Sequence, residues 1–178
     1  MDHLRKNRVR IGTIVALIAI GAVIWLTVAG GGDSKTASNG AEIVSANELR
    51  EMSALGATAV YWAGERPGAE LELSQPGGGR TYVRYLTGGA QAGDPRPGFL
   101  TVGTYEQANA AAALRRQSRQ PGGELATAPG RGIVYFNRRQ PHSVYLAYPG
   151  VSAEIEVYDP NFKTALQLVS SGRIAPVG

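Results

Sequence analysis

"AELELSQPGGGRTYVRYL", residues Ala69 to Leu86, alternates apolar and polar side chains, breaks at a Pro-Gly-Gly-Gly turn, and alternates again. Side chains two apart on a strand point the same way, so Leu71 and Leu73 share one face while Glu70 and Glu72 share the other. The pattern predicts an antiparallel hairpin with one dry face and one wet face. On its second strand Tyr82 and Arg84 stand opposite Val83, which makes them the side chains expected on the exposed side.

The same alternation recurs on both sides of this hairpin. "TAVYW" precedes it, a Gly/Pro-rich loop leads from it to the strand "FLTV", and "GIVYFN", "SVYLAYPG" and "AEIEVY" follow. In the last of these, Glu154 and Glu156 repeat the spacing of Glu70 and Glu72 and are likewise expected on the solvent side. Three helices punctuate the strands. "SANELREMSALG" offers Ser45 and Glu48 as a capping box, an apolar face of Leu49, Met52 and Leu55, and Gly56 as terminator. A second helix is expected from Tyr105 to about Arg119, with Thr104 and Gln107 as its capping box, and then a loop through Pro121 and Pro129. The third begins at Asp159 as N-cap, with Pro160 at the first helical position and Gly172 as terminator.

A shift of 74 residues lays Val60, Tyr61 and Trp62 on Val134, Tyr135 and Phe136, Pro67 on Pro141, and Val83 on Val157. Aromatic strands that end in turns also align by chance, so duplication and coincidence both stay open.

Upstream, "RKNRVRIGTIVALIAIGAVIWLTVAGGG" (residues 5–32) places four cations before twenty uncharged residues, Ile11 to Gly30. At about 1.5 Å per residue a helix of that length matches a hydrocarbon core of about 30 Å. The cationic flank predicts a cytoplasmic amino terminus and an exported remainder. "TVAGG" also sets small residues around Ala29, which leaves cleavage open. The expected organisation is therefore a basic cytoplasmic tail over 1–10, a transmembrane helix over 11–30 that contacts the lipid bilayer, a flexible tether over 31–42 and an extracytoplasmic domain over 43–178. The expected fold class is α+β: that one transmembrane helix, then a small domain of mainly antiparallel strands with about three helices.

The net charge of +4 does not belong to that domain, since residues 41–178 carry thirteen Lys+Arg against twelve Asp+Glu. Such a balance shows no basic stripe for tracking phosphates, and no nucleic-acid partner is expected. With no cysteine in the chain there are no disulfides, no thiol nucleophile and no lipidated cysteine. His142 is the one histidine outside the tail, which excludes a multi-histidine metal site. "QPGGGRTY" lacks the Gly-Lys-Ser/Thr ending of a phosphate loop. No cofactor and no catalytic residue is assigned.

Two features could still carry a function. The Glu70/Glu72 and Glu154/Glu156 pairs have a spacing compatible with glycoside cleavage. Tyr61, Trp62, Tyr82, Tyr85, Tyr135, Phe136, Tyr145 and Tyr148 all fall in strands, some beside Arg84 or Arg138, where they either fill the core or stack on a ligand. Tyr82, Arg84, Trp62 and Arg138 form the candidate binding surface.

"FLTVGTYEQANAAAALRRQ", within residues 99–119, resembles the strand-turn-helix core of sporulation-related repeat (SPOR) domains, through Val102, Gly103, Tyr105, Ala111 and Leu114. That resemblance implies binding to denuded peptidoglycan glycan. The wider arrangement of basic tail, apolar stretch, Gly-rich tether and Arg/Ala/Gly-rich domain resembles single-pass membrane proteins of high-GC actinobacteria, which implies no activity. The function expected is thus a membrane-anchored extracytoplasmic binding or structural module of the cell envelope, with cell-wall glycan or an envelope protein as partner. The alternative is a weak glycoside hydrolase that acts on envelope polysaccharide through its paired glutamates.

Overall fold

A computed structural model describes residues 40–56 and 59–178. Its elements are β1 (Glu42–Val44), α1 (Ala46–Leu55), β2 (Tyr61–Trp62), β3 (Glu70–Ser74), β4 (Arg80–Leu86), β5 (Thr101–Glu106), α2 (Ala110–Gln117), β6 (Gly123–Ala128), β7 (Gly132–Asn137), β8 (Ser143–Ala147), β9 (Ala153–Tyr158), α3 (Phe162–Ser170) and β10 (Ala175–Pro176). Eight strands make one antiparallel sheet in the order β1-β3-β4-β5-β9-β8-β7-β6, and β2 pairs with β10 in a small second sheet.

The hairpin of β3 and β4 forms as its alternation predicts, with Leu73 opposite Val83 and Glu72 opposite Arg84. Gly77, Gly78 and Gly79 turn the chain with three successive positive φ angles, a path that only glycine follows without strain. Register then carries one face across the sheet. Val83, Val102, Val157 and Val144 lie in one row, and Thr104, Ile155 and Leu146 in the next. These residues form the main core with Leu49 of α1, Ala165 and Val169 of α3, and Tyr61 and Trp62 of β2. Tyr85 fastens the small sheet to this face: its hydroxyl accepts from Ala63 N at 2.7 Å and donates to Gly64 O at 3.1 Å.

The fold-class expectation is corrected in one respect. The α+β core of mainly antiparallel strands and three helices is present, but no helix among the described residues is long and apolar enough to cross a membrane. The tail over 1–10, the stretch 11–30 and the tether as far as residue 39 lie outside the described residues. The chain is already in a strand at Glu42, which pairs with Leu73.

Helix boundaries differ where tertiary pairing outweighs local signals. Ser45 caps α1 as expected: Ser45 N donates to Glu48 Oε2 at 2.7 Å and Glu48 N to Ser45 Oγ at 3.2 Å. Gly56 ends it in extended rather than left-handed conformation. The second helix starts at Ala110, not Tyr105, because residues 101–106 are held between β4 and β9 at the centre of the sheet. Thr104 is no cap there; its hydroxyl accepts from Tyr61 N at 3.0 Å in the core. In α3 the cap is Asn161, whose Oδ1 accepts from Lys163 N, while Asp159 supports Asn161 from two residues upstream. Gly172, with φ of 72°, closes that helix as expected, and Arg173 N bonds back to Leu168 O.

β6 occupies part of the expected loop between Pro121 and Pro129. The equivalence at a shift of 74 also fails in space. It sets β2 on β7, yet β2 has left the main sheet. α2 packs with Ile133 and Tyr135 and α3 with Val144 and Leu146, on opposite faces of the sheet.

Candidate functional site

The second face of the sheet carries the polar half of every alternation, and it is not open to water. α2 lies over its β7–β8 side through Ala110, Ala111 and Leu114 against Ile133, Tyr135 and Ala147. Over β3 and β4 runs the loop between β4 and β5, in which Ala90 and Phe99 pack on Leu86. Between these covers, register sets Tyr82, Gly103, Glu156, Tyr145 and Tyr135 side by side in one row. In the adjacent row Arg80, Tyr105, Glu154 and Ala147 are neighbours.

Glu156 is 3 % exposed and accepts from two tyrosines, Tyr105 Oη at 2.5 Å and Tyr145 Oη at 3.2 Å. Burial, with the Glu156 carboxylate beside each, pushes both phenols well above their ordinary value, so they act as donors. Glu154 is 5 % exposed, and its Oε2 has no hydrogen-bond partner among the described residues. Loss of water, reinforced by the negative charge of Glu156, raises its pKa to about 7. Two carboxyls on one strand face thus differ in environment: one has phenol donors, and the other has an oxygen that lacks any.

Gly103 shapes the surface above them. A Cβ at that position would meet the Tyr105 oxygen at 2.9 Å and its ring at 3.1 Å. The phenol of Tyr105 therefore leans back along β5 into the space a side chain would fill. Tyr82, on the neighbouring strand, sets its ring at 82° to that of Tyr105, with centroids 5.9 Å apart. The result is a corner of two half-buried rings whose floor is held from beneath by Glu156. Tyr145 continues the row, 5.8 Å from the buried ring of Tyr135.

The residues read from sequence separate in space. Tyr82 is at the corner, half-buried. Arg84 is buried rather than exposed: its Nη1 reaches Glu72 Oε1 at 2.7 Å, and its Nη2 donates to Asp94 O and Arg96 O. Gly93 N donates to the second Glu72 oxygen at 2.6 Å, so the ion pair ties the 88–98 loop to the sheet. Trp62 is buried on the opposite face, with Arg50 stacked 5.3 Å from its ring centroid. Arg138 is exposed beyond the end of β7 and pairs with Glu124 at 3.1 Å. Those four residues do not form one surface.

The solvent-side reading of the glutamates is corrected as well. Glu70 is exposed, but Glu72, Glu154 and Glu156 are buried, because α2 and the 88–98 loop roof the face that alternation marks as wet. Tyr105, expected at the start of a helix and outside the candidate binding surface, stands in β5 as a site residue; the Gly-x-Tyr spacing in an aromatic strand is its signal. His142 lies exposed in the turn before β8. Among the described residues no group of three or more His, Cys, Asp or Glu side chains is placed to hold a metal. A shallow depression of about 380 Å³ lies along Gly89 to Arg96, and another of about 250 Å³ is bordered by Met52, Val60, Arg80 and Thr104; neither is lined by Glu154 or Glu156. In comparisons with protein-family models, curated proteins and solved structures, nothing matches this chain.

Proposed function

We infer that the domain is a binding module of the cell envelope, on the extracytoplasmic side, and that a cell-wall glycan packs into the Tyr82–Tyr105 corner. The supporting observation is the corner itself: a pyranose ring offers a face of C–H groups that stacks on an aromatic face, and Tyr105 is locked in place by Glu156 before any ligand arrives. Such preorganisation lowers the entropy cost of binding. The resemblance of residues 99–119 to glycan-binding SPOR domains agrees with this choice of ligand. The envelope address rests on the sequence of residues 5–32, with 11–30 in contact with the bilayer.

Co-sedimentation with purified sacculi tests the reading. Wild-type protein pellets with the glycan, and Tyr82→Ala weakens its affinity about two- to twelvefold, the loss of one stacked ring being worth about 0.5 to 1.5 kcal/mol. Equal pelleting of both proteins, or none of either, overturns it.

A second reading draws on Glu154. A carboxyl that titrates near 7 beside a second carboxylate resembles the division between acid and base in glycoside cleavage. Burial of both weighs against it. Release of reducing ends from sacculi, abolished in Glu156→Gln, would establish hydrolysis in place of binding.

A further inference from the structure

β6 is the outer strand of the sheet, and among the described residues nothing pairs with its far side. The ladder shows which groups are left over. Arg138 N donates to Gly122 O at 2.8 Å, which makes that opposed pair a hydrogen-bonded one. Such pairs alternate in an antiparallel ladder, so Glu124, Ala126 and Ala128 bond to β7. The N–H and C=O groups of Leu125 and Thr127 consequently point away from the sheet. Gly123 N is already used by Gln120 O, which leaves its carbonyl.

Natural sheets blunt such an edge with lysine, proline, a bulge or a cover. β6, "GELATA", contains neither lysine nor proline, and its register against β7 is unbroken. Leu125 is 49 % exposed at its middle, one of four large apolar side chains that stand out among the described residues. Its neighbour across the ladder is Tyr135, the buried end of the tyrosine row.

We propose that β6 is a self-association edge, on which a second copy of this chain pairs antiparallel with Gly123–Ala128 in the register centred on Leu125. The strand is self-complementary in that register. Leu125 N–H and C=O meet those of the second Leu125, and Thr127 N–H meets the free Gly123 carbonyl. Glu124 falls opposite Ala126, so no like charges are opposed. The two leucines cover each other on the face that carries the tyrosines. The rows of Tyr135 and Tyr145 then continue from one protomer to the other, and the dimer presents two ring corners on one surface.

The absence of native cysteine gives a direct test in the full-length protein, kept in the membranes or extracts of the cells that make it. Directly opposed residues of a hydrogen-bonded pair have Cα atoms about 5.5 Å apart, within disulfide range. Under copper-phenanthroline oxidation Leu125→Cys forms a covalent homodimer about tenfold faster than Leu55→Cys, which is 89 % exposed but away from β6. Glu124→Cys alone does not dimerise, because the register sets it diagonally from its own copy at about 7 to 8 Å. Copies with Glu124→Cys mixed with copies with Ala126→Cys do cross-link. A rate for Leu125→Cys no higher than for Leu55→Cys overturns the proposal. So does self-linking of Glu124→Cys as fast as Leu125→Cys, or capture of a different protein in place of a second copy. Leu125→Lys, placed in the mixed pair, keeps an exposed position soluble and abolishes that cross-link by opposing two ammonium groups; an unchanged yield also overturns it.

Discussion

Gly103 lies beneath the phenol of Tyr105, and no other residue could stand there without moving that ring. The bond from Tyr105 Oη to Glu156 at 2.5 Å therefore depends on the absence of a side chain on the same strand two residues away. Gly103→Ala is expected to swing the ring off Glu156 and to cost about 1 to 3 kcal/mol, the usual range for overpacking a filled site. Denaturant unfolding measures this. Combined with Tyr105→Ala, the glycine substitution should cost almost nothing further, since the clash has gone; full additivity would mean that the contact is not the cause.

Glu154 sets a pH dependence with a definite sign. Its folded pKa of about 7 lies above the ordinary carboxyl value of 4.5, so the native state holds the proton more tightly than the unfolded chain. The stability associated with this group is greatest below pH 4.5, falls as pH rises toward 7, and is constant above that. The total change is on the order of 3 kcal/mol, from about 1.4 kcal/mol per unit. Glu154→Gln should flatten this slope and leave the variant more stable than wild type at pH 8. Unfolding free energies at pH 5 and pH 8 decide the matter, and an unaltered difference between them would exclude Glu154 as its source.

The Glu72–Arg84 pair should matter more to the 88–98 loop than to the sheet. Glu72→Gln removes the carboxylate charge from a buried, hydrogen-bonded ion pair with Arg84, a loss of about 1 to 3 kcal/mol. It also weakens the acceptor for Gly93 N. Limited proteolysis is expected to cut the variant first between Gly88 and Gly98. Cleavage that begins elsewhere would show that the loop does not depend on the pair.

Alternation in β3, β4, β7, β8 and β9 was enough to find the sheet, because each side chain of a central strand has to choose a face. It was not enough to say which face meets water. Glu72, Glu154 and Glu156 look solvent-facing along their own strands, and only the placement of α2 and the 88–98 loop buries them. The same limit explains β6, whose small residues lack the branched and aromatic signal of the strands beside it, and β5, whose Gly-Thr-Tyr segment imitates a helix start until its partners on both sides are known. The ring corner was half legible: Tyr82 could be read from alternation, while the position of Tyr105 depends on its phenol filling the space over Gly103.

The small β2–β10 sheet joins the segment that follows α1 to the last strand of the described chain. Ala175 faces Trp62, Pro176 faces Tyr61, and Val177 N reaches Val60 O at 2.7 Å. These contacts close the core over Tyr61 and Trp62 with a segment far from them in sequence. The aromatic core is therefore completed by a contact between segments far apart in sequence, and a variant in which Ala175 and Pro176 cannot pair is expected to keep every strand of the large sheet while Tyr61 and Trp62 lose their cover.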